Sequence, residues 1–228
     1  DALHRCLCRE VSTASALLCR VRGDLVSVEK LCRGEMKATN EVRALVGALA
    51  KDVVPATWKA GLVQADMGTG PSAMPYWLGG LFSPDAFVTA SRQHVAGALS
   101  CSLDELALSL VVGPQEETNA DDGSSMAFPI IGLVLEGAGW SETAKTLAFS
   151  KDHRKALALC RLCWTRRPDG AAEGPGGDES LPGVAVPVYL HARRSDLIVT
   201  VELPVPEDVP PIVWRQRGVA LLAWGPPV

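Results

Sequence analysis

The period at which apolar residues recur changes once along this chain, near Leu103, and that change constrains the fold more than any other feature. Before it, Leu3, Leu7, Val11, Ala14, Leu18, Val21, Leu25, Val28 and Leu31 recur at three- and four-residue steps, and residues 3–54 contain no proline. That pattern predicts a long amphipathic helix. Gly34 is expected to end or kink it. A second helix is predicted from Met36 to Val53, through Val42, Leu45, Val46 and Leu49. Pro55 should stop it, because proline disfavours helix in the residue before it. Beyond Leu103 apolar residues alternate instead, at Leu106, Leu108 and Leu110 and at Ile131, Leu133 and Leu135. Alternation is the mark of a half-buried strand. Leu157, Leu159, Arg161 and Cys163 read as another strand, as do Val184 to His191, Leu197 to Leu203 and Val219 to Trp224. Pro187, Pro204 and Pro206 belong on edges or strand ends, since proline cannot donate to a ladder. Helices and strands do not alternate as βαβ units. The expected fold is therefore α+β, with N-terminal long helices followed by a small antiparallel β-barrel.

Between the two regimes lies Gly79-Gly80-Leu81-Phe82-Ser83-Pro84-Asp85, read as a buried turn feeding a capped helix from Pro84 to Leu99. Ser83 is the expected cap and Pro84 fits the first helical position. Asp85 sits where the helix dipole favours negative charge. Phe87, Val88, Ser91, Val95 and Leu99 share one face. The expected organisation is a helical segment over 1–58, a linker loop and capped helix over 59–103, and the barrel over 104–228. Residues 59 to 75, Gln115 to Ser125 and Asp169 to Gly177 are polar or Gly-rich and read as loops.

Composition narrows the function. Hydrophobic residues make up 47% of the 228, enough for a sizeable core. A net charge of −4 argues against a nucleic-acid groove, which needs clustered Lys and Arg. No apolar run approaches the length of a membrane span. The start lacks both an initiator Met and the layout of a signal peptide, and reads as the beginning of a fragment. Seven scattered cysteines suit reduced thiols better than a disulfide framework.

Motifs for chemistry are weak. No Gly-x-x-x-x-Gly-Lys-Ser/Thr loop occurs, and Gly68-Thr69-Gly70 lacks the lysine that would grip phosphate. Cys160 and Cys163 have the spacing of a zinc half-site without a second pair, and on a strand they would face opposite sides. Cys6 and Cys8 lie on a helix with the wrong geometry, and His153 is the only histidine near Cys160 and Cys163. No cysteine nucleophile is placed beside His94, and His191 is expected to face solvent or a neighbouring module. Glu116, Glu117, Asp121 and Asp122 are read as a solvated loop, since the EF-hand pattern is absent. Trp58, Tyr76, Trp77, Phe82 and Phe87 are candidates for a helix–barrel anchor or for an interface. No catalytic, cofactor-binding or metal-binding residue is assigned.

The order of the motifs resembles one family, the C-terminal region of dynein heavy chains. Val21-Arg22-Gly23-Asp24-Leu25 and Lys37-Ala38-Thr39-Asn40, followed by Leu45, Val46 and Leu49, are similar to the helical pair that ends the last AAA+ module. Val54-Pro55-Ala56-Thr57-Trp58 resembles the family's Pro-x-x-Trp. Leu78 to Gln93 resembles its Leu-Gly-Gly-Leu-Phe-x-Pro segment, and Ile131 to Ala138 its Gly-Leu-x-Leu-x-Gly-Ala strand. Pro187-Val188-Tyr189 with Arg193, and Arg217 to Leu221, match the last two motifs. Val186 to Leu190 followed by Asp196 to Val201 looks like the cytoplasmic subtype, without the Cys and the Gly-His-Ser-Thr-Asn run of axonemal relatives. The extra helix that the family carries between Trp58 and Tyr76 is replaced here by a short Gly-rich connection.

The resemblance implies a non-catalytic part of a cytoplasmic, cytoskeletal motor whose parent polypeptide hydrolyses ATP with Mg. Its implied partners are the AAA+ modules of the same polypeptide, and, through the parent, microtubules and other dynein subunits, with no nucleic acid and no membrane. It implies that this region braces the motor ring and modulates force and run length. Leu7, Val11, Leu18, Val21 and Leu25 are the candidate docking stripe. Two other expectations stand beside it: a barrel that recruits a regulator through an exposed edge, and, with less support, an enzyme using Cys and His.

Overall fold

The computed structural model describes residues 1–58, 75–113, 125–166 and 183–224. The expected loops at 59–75, Gln115–Ser125 and Asp169–Gly177, and the place of the family's extra helix, lie outside these residues apart from Pro75 and Ser125. The described residues form two compact units, one of 4–58 and 80–82, the other of 1–3, 75–79 and 83–224.

The helical unit is built on α1 (Ala2–Cys32) and α2 (Asn40–Leu49). Helix α1 ends where expected. Gly34 takes φ +75°, the N–H of Gly34 bonds Leu31 O, and that of Glu35 reaches back to Lys30 O at 2.9 Å. This is the left-handed glycine stop that satisfies the last carbonyls of a helix. Helix α2 starts later than its periodicity predicts, because Thr39 caps it by accepting from Val42 N–H at 3.3 Å. It also stops before Pro55. Asp52 adopts φ +54°, Asp52 N–H bonds Leu49 O, and Val53 N–H bonds Ala48 O. A stop of the same type therefore acts first. Trp58 is buried, and its indole N–H donates to Asp24 of α1 at 2.7 Å. Buried Glu10 of α1 accepts the backbone N–H of Phe82 at 2.6 Å.

The second unit holds α3 (Pro84–Leu99), a short α4 (Pro211–Gln216) and the strands. These are β1 (Tyr76–Trp77), β2 (Leu106–Val112), β3 (Ser125–Ile131), β4 (Val134–Glu136), β5 (Gly139–Ser141), β6 (Thr146–Ala148), β7 (Arg154–Ala156), β8 (Cys160–Arg166), β9 (Gly183–Tyr189), β10 (Leu197–Pro204) and β11 (Ala220–Leu222). Nine of them form one sheet in the order β1-β3-β8-β2-β10-β9-β11-β4-β7, while β5 and β6 make a separate hairpin.

The α+β class stands, but the small antiparallel barrel does not. The sheet curls without closing, with β1 and β7 at its ends, and it is mixed: β1 runs parallel to β3, β2 to β10, and β9 to β11. Side chains alternate identically in parallel and antiparallel strands, so periodicity carries no information about direction. The apolar run Ile131–Leu135 is two strands, because Gly132 turns the backbone at φ +74°. Likewise the run from Leu157 divides into a short irregular connection after β7, through Leu159, and β8. Pro187 is not on an edge: it lies inside β9, opposite Thr200 of β10. On its other side β11 registers only at Val188 and Tyr189, so the missing N–H falls just before that ladder begins. Pro204 does end a strand, as expected.

Helix α3 matches its predicted span, with Phe87, Val88, Ser91 and Val95 buried. Ser83 does not cap it through its side chain; Pro84 at the first position needs no N–H partner, and Ser83 O accepts Phe87 N–H. The glycine that precedes the helix is a steric requirement. A Cβ at Gly79 would run into the carbonyl oxygen of Ala223, the same atom that accepts the Trp77 indole N–H at 3.1 Å.

A buried polar relay pins α3 to the sheet. The indole N–H of Trp164 in β8 donates to Ser91 Oγ at 2.9 Å, and Ser91 donates to Val88 O at 2.8 Å. Ser91 is fully buried and Trp164 is 4% exposed. Ser91→Ala should therefore destabilise the protein by about 1–3 kcal/mol, the cost of an unpaired buried donor. Thr89→Ala, on the exposed side of the same helix, should stay within about 0.5 kcal/mol of the parent. Urea unfolding of both variants checks this; equal effects would remove the relay from the account.

Candidate docking surfaces

Helix α1 divides its apolar residues between two faces. Leu3, Cys6 and Glu10 are buried, and Ala14, Leu17 and Leu31 are half-buried. Val11, Leu18 and Leu25 recur every seventh residue, two helical turns apart, and stand 56%, 64% and 47% exposed. Cys32 continues the same line and is exposed. Leu7 and Val21, the other members of the predicted stripe, are half-buried on its flank. The predicted docking residues thus include a continuous apolar row facing outward.

The predicted aromatic anchor is distributed over both units. Trp58 and Phe82 belong to the helical unit. Tyr76, Trp77 and Phe87 belong to the sheet unit, where Tyr76 and Phe87 meet with ring centroids 4.7 Å apart and Phe87 meets Phe128 edge-on at 6.3 Å. Beside α3 lies a shallow groove of about 280 Å³, lined by Val88, Arg92, Leu103, Trp164 and Ile198 among others. Its cation is already committed: Arg92 donates twice to Leu103 O and lies over the Trp164 ring.

The cysteines are not joined in disulfides, and among the described residues no three His, Cys, Asp or Glu side chains converge as metal ligands. Cys160 and Cys163 lie on opposite sides of β8, one buried and one half-buried. Burial pushes the Cys160 thiol up to about 12, with Glu142 a lesser contributor. Only the thiolate attacks. Alkylation of the native protein near neutral pH should label Cys8, Cys19 and Cys32, which are exposed, and should reach Cys160 only after unfolding. A single thiol reacting much faster than these exposed ones would instead favour a nucleophilic role.

An arginine cluster has no counterpart among the sequence expectations. At the end of β4, Glu136 accepts from Arg154 Nε at 3.0 Å and from Arg194 Nη2 at 2.7 Å. Arg194 also donates to Gly218 O at 2.9 Å, and Arg217 Nε donates to Gly137 O at 3.1 Å. The Arg217 guanidinium lies over the Phe149 ring at 5.2 Å, and that ring stacks on buried Trp214. The family motif points to Arg193, yet its neighbour Arg194, at φ +56°, makes the contacts. The three arginines are far apart in sequence, so only the strand pairing of β4 with β7 and β11 reveals the cluster.

The hydrogen bond from Arg194 holds the Glu136 carboxyl below the ordinary carboxylate range; partial burial opposes this and Arg154 adds to it. The sign follows from linkage: a depressed folded pKa contributes stability above the unfolded value, lost as pH falls through the folded one. Glu136→Gln should therefore lower the urea midpoint at neutral pH, and the gap between variant and parent should close in acid. A gap independent of pH would contradict the ion-pair assignment.

Long N-terminal helices followed by a curled mixed sheet make this an α+β protein. A family model for the C-terminal domain of the dynein heavy chain matches it over residues 1–69 and 62–223. The chain belongs to that family. It is 29% identical to the cytoplasmic dynein heavy chain of Dictyostelium discoideum, with 98% of this chain and 5% of that one covered. It is 31% identical to the cytoplasmic heavy chain of Drosophila melanogaster, over 97% of this chain and 5% of the relative. Human dynein axonemal heavy chain 3 is 26% identical over 97% of this chain and 6% of its own length. The resemblance to the cytoplasmic subtype is thus supported, and the chain spans about one twentieth of its curated relatives.

Proposed function

We propose that this chain is the non-catalytic C-terminal region of a cytoplasmic dynein heavy chain, and that it packs on the AAA+ ring of its parent to modulate ATP-driven, minus-end-directed movement along microtubules. The observation that carries the reading is the outward row of Val11, Leu18 and Leu25 on α1. Burying such a row requires an external apolar surface, and family membership makes the neighbouring modules of the same heavy chain the natural one. Leu7 and Val21 complete the stripe on its flank. ATP and Mg act elsewhere in the parent, as do its contacts with microtubules and with other dynein subunits. Similarity to cytoplasmic dynein heavy chains supports a cytoplasmic, cytoskeletal setting. No helix among the described residues is long and apolar enough to cross a membrane.

The mechanism is mechanical coupling. A helix packed across ring modules makes each change of ring shape cost packing energy, with a coupling of roughly 1–3 kcal/mol as in typical allostery. Processivity and force respond to that cost.

Leu18→Asp with Leu25→Asp tests the docking. Both side chains are exposed here, so the double variant of the 228-residue chain should keep its fold. In the parent motor, Cys32 on the same row should resist alkylation, become reactive in the double variant, and run length should change with it. Unaltered Cys32 reactivity and unaltered run length would defeat the docking assignment.

A further inference from the structure

The arginine cluster on the sheet unit is unbalanced in charge. Arg154 and Arg194 bond Glu136, Arg194 also bonds Gly218 O and Arg217 bonds Gly137 O, so Glu136 is the one carboxylate that any of the three contacts among the described residues. Two positive charges are left over. The anchoring also fixes their directions. Arg154 and Arg217 each bond through Nε, which leaves their terminal nitrogens without a protein partner among the described residues. The Arg154 and Arg194 side chains remain 56% and 36% exposed. Lys155 on the exposed edge strand β7 adds a further cation, while Asp152 and Asp196 are the acids nearest in sequence, the latter accepting from Ser195. Phe149, 59% exposed, forms an apolar floor under Arg217.

We propose that this surface docks an acidic segment of a partner protein, with carboxylates on the guanidinium forks and one apolar side chain against the exposed edge of Phe149. Arginine forks held in place by one carboxylate and two backbone carbonyls suit further carboxylates, because the planar donors pair with two oxygens at once. Anchored forks also lose little freedom on binding, which favours affinity. The exposed ring is the reason to assign a protein segment rather than a nucleic acid: it offers an apolar contact beside the cations. The site lies wholly within the sheet unit, so it stands or falls independently of the α1 row.

The test titrates the 228-residue chain against a short fluorescein-labelled peptide of Asp and Glu with one central Leu, followed by fluorescence anisotropy. Saturable binding that weakens as salt rises is expected. Arg154→Gln and Arg217→Gln should each weaken it at least about five-fold, as for truncation of a positioned interfacial charge. Glu136→Gln keeps an oxygen that can accept from Arg154 and Arg194 but removes the charge that neutralises them, and should tighten binding, an effect that loss of fold cannot imitate. Replacing the central Leu by Ser should weaken binding, and Phe149→Ala should do the same. No saturable binding, or affinity indifferent to Arg154→Gln, Arg217→Gln and Glu136→Gln, would overturn the proposal. Displacement of the peptide by inorganic phosphate at millimolar levels and constant ionic strength would also overturn it, in favour of a small-anion site. Equal binding of an oligonucleotide would do so in favour of a polyanion surface.

Discussion

The hydrogen bond from the Trp164 indole to Ser91 is the contact on which the sheet unit depends. It joins the middle of α3 to β8, the strand that lies between β2 and β3. Both partners are shut away from water, so the bond strengthens in its low-dielectric setting and its loss is costly. Once α3 is fixed there, Phe87 meets Tyr76 and Phe128, and β1 can add to β3. The glycine at 79 allows the backbone between β1 and α3 to pass the carbonyl of Ala223, which the Trp77 indole also holds. Backbone approach, indole donor and helix start are thus linked within one short stretch of sequence.

That stretch is also the most legible part of the molecule. Helix ends are readable where a glycine must adopt a left-handed conformation, as at Gly34, and not where Asp52 does the same without announcing it. The span of α3 is readable because Pro84 and a buried face define it, although Ser83 caps it without a side-chain hydrogen bond. Strands are legible wherever alternation runs for several residues, as in β2, β8, β9 and β10. The hairpin β5–β6 and helix α4 are too short to show a period, and the sequence does not reveal them. Direction is invisible throughout, which is why alternation suggests a barrel where an open mixed sheet is observed. Pro187 shows the same limit from another side: the rule that confines proline to edges concerns a missing donor, and β9 accommodates it at a position where no β11 ladder bond has begun.

Surfaces are legible only in part. Leucines and valines at seven-residue intervals on α1 advertise an apolar row, but sequence cannot say which of two apolar stripes faces out. The structure separates them, with Val11, Leu18 and Leu25 outward and Leu7 and Val21 on the flank. The arginine cluster has no sequence signature, since its members come from β7, the turn after β9 and the end of α4. The two units therefore offer different chemistry, an apolar row on one and anchored guanidinium groups on the other. An apolar row suits a permanent contact within one polypeptide, whereas a charged, partly solvated surface suits a reversible partner.

The most direct test of the account is single-molecule motility of the parent motor with and without residues 1–228, which carry the α1 row. The account predicts that run length or stall force changes while the truncated motor remains folded and still hydrolyses ATP. Unchanged run length and unchanged stall force in a folded, active motor would contradict it, and would leave this region a passive cap or a docking site alone.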